Sequence, residues 1–238
     1  MSKQRKSWIS RRSFIEKSMI GTAGLAISPA YVKNLNPDLR SKQAELNIIE
    51  LNQPDTSKGM PVMQALKNRR SIREVQSKKL SPQHLSELLW ASDGVNRKDG
   101  KRTSPSAFNV NLIETYAILE EGIYYYDPEH HRLVQRVAGD YRKLAGEQDF
   151  THRVPLNLVY ICNLDNMNTI ETSYPKEDVI LWAAIEAGHQ AQNVYLYCAS
   201  EGLGTVIRAS MNVEEFSTLL HFNNQQIFIS IQTVGYKD

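Results

Sequence analysis

Cysteine is scarce: the 238-residue chain holds two, Cys162 and Cys198. Two cysteines cannot build the multi-bridge framework of a small secreted fold. Cys162 ends an apolar, strand-like run from Leu156 and Cys198 lies in a helical pattern, so both read as buried free thiols. No apolar run reaches the ~20 residues that a spanning helix needs. No Gly-x-Gly-x-x-Gly follows a strand pattern, which leaves a Rossmann nicotinamide site without support. Gly-x-Ser-x-Gly is also missing, and with it a nucleophile elbow. His130 and His131 are adjacent, so they do not share a face as paired metal ligands do, and they read as exposed in a hairpin. Repeats and low-complexity blocks are absent.

Charge of one sign is missing too, once the N-terminus is set aside. The formal charge is +2. Residues 1–30 carry Lys3, Arg5, Lys6, Arg11, Arg12 and Lys17 against Glu16, a net +5, so the rest of the chain sums to −3. Nothing in that remainder suggests a nucleic-acid binder. The apolar content of 41% and charged content of 23% suit a globular domain with a sizeable core.

The basic N-terminus reads as an address. Ser10-Arg-Arg-Ser-Phe-Ile-Glu-Lys17 is similar to the twin-arginine export motif, and a short apolar run from Met19 to Ile27 follows. Small residues at Ser28-Pro29-Ala30 suit cleavage after Ala30. The resemblance implies export by the twin-arginine machinery, to the periplasm in a bacterium, with membrane tethering if the signal stays uncleaved. That route carries folded proteins, often with a cofactor aboard. The expected organisation is a signal over 1–30, a linker with one short element (Leu46 to Leu51) over 31–58, and one domain over 59–238.

Within the domain, Met60, Val62, Met63 and Leu66 have helical spacing. Ser81-Pro82 opens a second helix, with Ser81 as N-cap and an apolar face of Leu85, Leu88 and Leu89. Strands are expected over Ile113 to Leu119 and Leu156 to Cys162, and a hairpin around Asp127-Pro-Glu129. A helix is expected near Val137 to Gln148. Asp178 to Ser200 is a long helix, apolar around most of its circumference, as in a core or a subunit interface. Gly202 suits a left-handed C-cap. Short elements follow at Thr205 to Ile207 and Val213 to Leu220, then a strand from Ile227 to Val234. The class is α+β, with a mixed, mainly antiparallel sheet flanked by helices.

Arg69-Arg70-Ser71-Ile72-Arg73 places three guanidinium groups and a hydroxyl within five residues. Arginine offers planar, paired donors to phosphate and serine adds another, so the run is a candidate anion site. If it is extended, Arg69, Ser71 and Arg73 share one side. Pro105 to Asn109 makes a tight polar loop, and Gly202-Leu203-Gly204 ends the long helix where close backbone approach is sterically allowed.

Arg69 to Arg73, lying between a helix and Leu80-Ser81-Pro82, resembles the FMN-binding entry motif of the nitroreductase family. The stretch from Leu89 to Arg97, with Glu121 to Pro128 and His130, looks like the SagB-type dehydrogenase branch. The resemblance covers about residues 60–236. It implies a nitroreductase fold and a homodimer with the long helix at its core and FMN at the interface. Arg69, Ser71 and Arg73 would contact the cofactor. Pro105, Ser106 and Asn109 would reach the flavin of the other subunit, Gly202, Leu203 and Gly204 would offer backbone donors, and Gln148 matches a recurrent position. No catalytic side chain is implied, because the flavin carries the chemistry. The implied reaction is ping-pong transfer through FMN N5, from a donor such as NAD(P)H to a small acceptor such as a nitroaromatic or quinone. An azoline-oxidising dehydrogenase and a non-catalytic flavin binder are the alternatives. Further basic residues that many family members place near the C-terminus are missing, and only Lys237 stands there.

Overall fold

A computed structural model describes residues 47–238. The twin-arginine segment and residues 31–46 lie outside the described residues. The elements in chain order are β1 (Ile48–Glu50), α1 (Val62–Asn68), α2 (Pro82–Asp93), β2 (Ile113–Leu119), β3 (Gly122–Asp127), β4 (Arg132–Ala138), β5 (Leu156–Asn163), α3 (Lys176–Ser200), β6 (Leu203–Arg208), α4 (Val213–Leu219) and β7 (Gln226–Tyr236). The strands form one seven-stranded sheet in the order β1-β4-β3-β2-β5-β7-β6. Every pairing is antiparallel, so the sheet expected to be mainly antiparallel is wholly so.

Strand β5 shows why the sheet sits at the centre. Seven of its eight residues are buried. Because side chains alternate, Leu156, Leu158, Tyr160 and Cys162 pack into one core with α2 and α3. Val159 and Ile161 join a second core on the other face, with Leu144, Phe216 and Ile231. A strand covered on both faces loses the polar-apolar alternation of a half-exposed one. Both cysteines are buried free thiols, as expected. Burial pushes the Cys162 thiol up to about 12.

Helix α3 spans 25 residues, roughly 37 Å at the usual rise. Val179, Ala183, Ala187, Ala191, Val194 and Cys198 form its buried stripe. The alanines let the helix lie close on the sheet. Its opposite side leaves Leu181 and Ile185 more than half exposed.

Two expectations need correction. No α-helix covers Val137 to Gln148. Strand β4 continues to Ala138, with Val137 paired to Ile123, and two short 3-10 turns follow at Arg142–Ala145 and Asp149–His152. Gly139 and Gly146 take positive φ there, which interrupts any helix. His131 is not free in the hairpin. It bonds Ser86 Oγ at 2.8 Å, Tyr126 OH at 2.9 Å and the Asn52 carbonyl at 3.0 Å. The short element expected over Leu46 to Leu51 is β1, which pairs with β4.

The start of α2 follows expectation. Ser81 is the N-cap, its side chain accepts the His84 N–H at 3.1 Å, and Pro82 occupies the first turn. Replacing Ser81 with Ala removes that acceptor and should cost about 1 kcal/mol, read as a lower urea midpoint with an unchanged slope. An unchanged midpoint would show that the cap contributes nothing.

Candidate functional site: an anion cluster at the sheet edge

Arg69 ends α1, and its N–H makes the last helical bond, to Ala65 O at 2.8 Å. Beyond it the chain is extended along the free edge of the sheet. Ile72 N–H donates to Thr205 O and Gln76 N–H to Tyr236 O, both at 2.9 Å. Val75 bridges Lys237, which ties the chain's C-terminal segment to the arginine-rich run.

The functional side chains meet at Tyr195, on α3. The Arg69 guanidinium lies 5.3 Å from its ring centre. Ser71 Oγ is 2.9 Å from the Tyr195 hydroxyl, which also accepts the Ile207 N–H at 3.0 Å. Because the phenol oxygen already accepts from Ile207, its proton can go to Ser71, leaving the serine proton for a ligand. Among the described residues, no carboxylate pairs with Arg69, Arg70 or Arg73. Arg70 turns back, its Nη1 donating to the carbonyls of Lys67 and Arg69, both at 2.8 Å. Arg73 is exposed. The Arg69 guanidinium and the Ser71 hydroxyl, brought together on Tyr195, are donors of the kind that suit phosphate.

Strand β6 supplies the floor. Gly202 takes φ 74, the left-handed conformation expected after the helix. A strand residue points its N–H and C=O to the same edge. The bonds at Thr205 and Ile207 therefore put Leu203, Thr205 and Ile207 on the outer edge and turn the Gly204 amide toward β7. The reason for glycine at 204 also differs from the expected one. A Cβ there would stand 2.6 Å from Val75 Cγ1 and 3.0 Å from Ile72 Cγ2. The chain's own side chains occupy the space above this glycine.

Arg208 closes the end of β6. Its Nη1 donates to Ala145 O at 2.6 Å and its Nη2 to Thr233 Oγ1 at 2.8 Å, while its Nε is buried without a partner. Burial pulls this guanidinium down to about 10. The contact fastens the 145–152 turns, which contain Gln148, to the strand that carries Ile207. Gln148 is exposed and opens the second turn, its carbonyl accepting Thr151 N–H at 2.9 Å.

Pro105, Ser106 and Asn109 lie elsewhere. Their loop is tied to α3 at Glu186, whose carboxylate accepts the N–H groups of Ile113 at 3.1 Å and Leu112 at 3.3 Å. Glu186 and Tyr195 are nine residues apart, about 14 Å along the helix. A single chain therefore does not bring this loop to the Arg69–Ser71 cluster. A cavity of about 480 Å³ between residues 54–60, α1, α2 and α3 is likewise separate. Asn193, Leu196, Tyr197 and Ser200 line it from the face of α3 opposite Tyr195, and none of the arginines does.

Tyr195, Ile207, Arg208 and Glu186 were not singled out by sequence reasoning. An aromatic residue in a long apolar helix reads as core, and an edge-strand amide carries no sequence signal. Glu186 did leave one: an acid in register with Ala183, Ala187 and Gln190 on the buried stripe.

The wholly antiparallel seven-stranded sheet with its flanking helices is a nitroreductase-like α+β fold. Residues 66–236 match the Nitroreductase family, and the chain belongs to that family. It is similar to a nitroreductase homologue of Methanocaldococcus jannaschii, at 31% identity over 191 residues, 72% of this chain and 94% of that protein. Among solved structures it resembles a nitroreductase homologue of Ralstonia eutropha, with a TM-score of 0.74, 40% identity, and coverage of 80% of this chain and 90% of that one. It shares the fold of the NADPH:FMN oxidoreductase of Vibrio harveyi, solved with NAD+, at a TM-score of 0.56 and 16% identity, over 74% of this chain and 69% of that one.

Tyr195→Phe keeps the ring under Arg69 but strands the Ile207 N–H and frees Ser71. The expected cost is about 1–3 kcal/mol of stability, measured by urea unfolding. A neutral result would mean that the hydroxyl is not what joins α3 to β6.

Proposed function

We propose that the protein is an FMN-dependent oxidoreductase acting as a homodimer. The observation that carries this reading is the Arg69–Ser71–Tyr195 cluster, which presents cationic and hydroxyl donors with no acid paired to them among the described residues. Arg69 and Ser71 hold the phosphate of FMN, and exposed Arg73 adds charge from the same run. FMN would supply hydride and electron transfer, from a donor such as NAD(P)H or a quinol to a small acceptor such as a nitroaromatic or quinone. The protein's own part is to bind, orient and shield.

Two features support the dimer. Val62, Met63, Leu66, Leu181 and Ile185 are large apolar side chains exposed on α1 and α3, where a second subunit would cover them. The Pro105–Asn109 loop, displaced along α3 from its own chain's cluster, suits service to the cluster of a second subunit. The twin-arginine-like segment extends the proposal to export.

Fluorescence titration with FMN tests the cluster. Arg69→Ala and Ser71→Ala should each weaken binding by about 10–100-fold, the worth of a charge-assisted phosphate contact. Wild-type affinity in both variants would contradict the placement. The same purified holoprotein, mixed anaerobically with NADH, a quinol or an azoline, should lose its flavin absorbance with at least one donor. A flavin that no donor bleaches would support a binding protein instead of an enzyme.

A further inference from the structure

The loop between α2 and β2 has a shape that its sequence does not favour. Phe108, Asn109 and Asn111 take φ of 54°, 60° and 52°. Asparagine tolerates this left-handed region, but phenylalanine does not, and each such residue costs on the order of 1 kcal/mol. Something must hold the loop there, because local preference would release it.

Two buried acids stand at its two ends. Asp93, the last residue of α2, is 3% exposed and accepts Arg102 Nη1 and Ser104 Oγ, both at 2.5 Å. Glu186, in the middle of α3, is 2% exposed and accepts the Leu112 and Ile113 amides. Within the loop, Ser106 Oγ accepts the Asn111 N–H at 2.9 Å, and Asn166 Nδ2 donates to Asn111 O at 2.7 Å. The ring of Phe108 remains half exposed, set at 5.3 Å from Tyr174 and 5.5 Å from Trp182.

We propose that Asp93 and Glu186 are positioning residues, a two-carboxylate latch that holds the 102–113 loop in its strained shape and so presents Pro105, Ser106, Phe108 and Asn109 outward. Their importance at a second subunit's flavin rests on the proposed function above, but the latch itself does not. Burying a carboxylate is costly unless its oxygens are filled. Burial does push both carboxyls upward, Asp93 to about 6 and Glu186 above its ordinary range, against the pull of Arg102 and of the serine and amide donors. Neither acid lies in the Arg69–Ser71 cluster. Their bonds go to this loop and to the start of β2, so the loop is what their burial serves.

The test uses the full chain with FMN bound and reads the loop directly. Asp93→Ala removes the acceptor for Arg102 and Ser104. Glu186→Gln keeps the volume of the side chain but turns an amide NH2 toward backbone donors. Hydrogen exchange followed by mass spectrometry should show faster exchange across residues 103–113 in both variants, by tenfold or more, with β5 and β7 unchanged. Trp182 emission should shift, because its Phe108 neighbour is released. Glu186→Asp, which keeps the charge, should recover part of the protection. Loop exchange and Trp182 emission identical to wild type in both Asp93→Ala and Glu186→Gln would overturn the latch. If Asp93→Ala does not fold, Asp93→Asn and Ser104→Ala carry the same reading, the second without touching the acid. FMN affinity in the same samples separates the two claims. A loosened loop with wild-type FMN binding supports the latch and contradicts the loop's role at the flavin. A loosened loop with weakened binding supports both.

Discussion

The Tyr195 hydroxyl is the point on which the site depends. It receives the edge amide of Ile207 and bonds Ser71, while its ring lies under Arg69. Three elements, the segment after α1, the last turns of α3 and strand β6, are joined through one oxygen atom. The backbone bonds of Ile72 and Gln76 hold the arginine-rich run on the sheet, and the Tyr195 contact orients its side chains. Together they make the run an ordered set of donors at a sheet edge. The second constraint is the space above Gly204, where Ile72 and Val75 pack against the strand. Position and shape of the cluster thus come from packing, and its charge from the arginines.

Much of this was legible in the sequence. Strand β5 read correctly from its unbroken apolar run, α3 from its length and small-residue stripe, and the Ser81 cap from its dipeptide. Arg69 and Ser71 were singled out through the family resemblance, since the composition of their run alone equally suits a solvated basic turn. Other features were hidden for physical reasons. The stretch after Val137 has helix-compatible spacing, but its pairing with Ile123 and the positive φ of Gly139 and Gly146 decide otherwise. Tertiary pairing outweighs local propensity there. The glycine at 204 was visible, but its reason was not, since side chains arriving from residues 72 and 75 cannot be seen in a local window. His131 likewise reads as surface until Ser86, Tyr126 and Asn52 are brought to it.

The chain divides its polar groups between two tasks. One set, around Arg69, Ser71 and Tyr195, is left without acidic partners and belongs to the nitroreductase-type cofactor reading. The other, around Asp93 and Glu186, is fully engaged with a strained loop some distance along α3. Helix α3 carries one residue of each set, Tyr195 and Glu186, and leaves Leu181 and Ile185 exposed. The two sets thus meet the same helix at different turns and share no residue. A substitution in one set should leave the other's geometry largely intact.

The phosphate assignment is tested most directly by titrating the purified protein with FMN and, separately, with riboflavin, which has the same ring system and no phosphate. A phosphate held by Arg69 and Ser71 predicts that FMN binds at least tenfold tighter, with the gap narrowing as salt is raised. Equal affinity for the two flavins would contradict it.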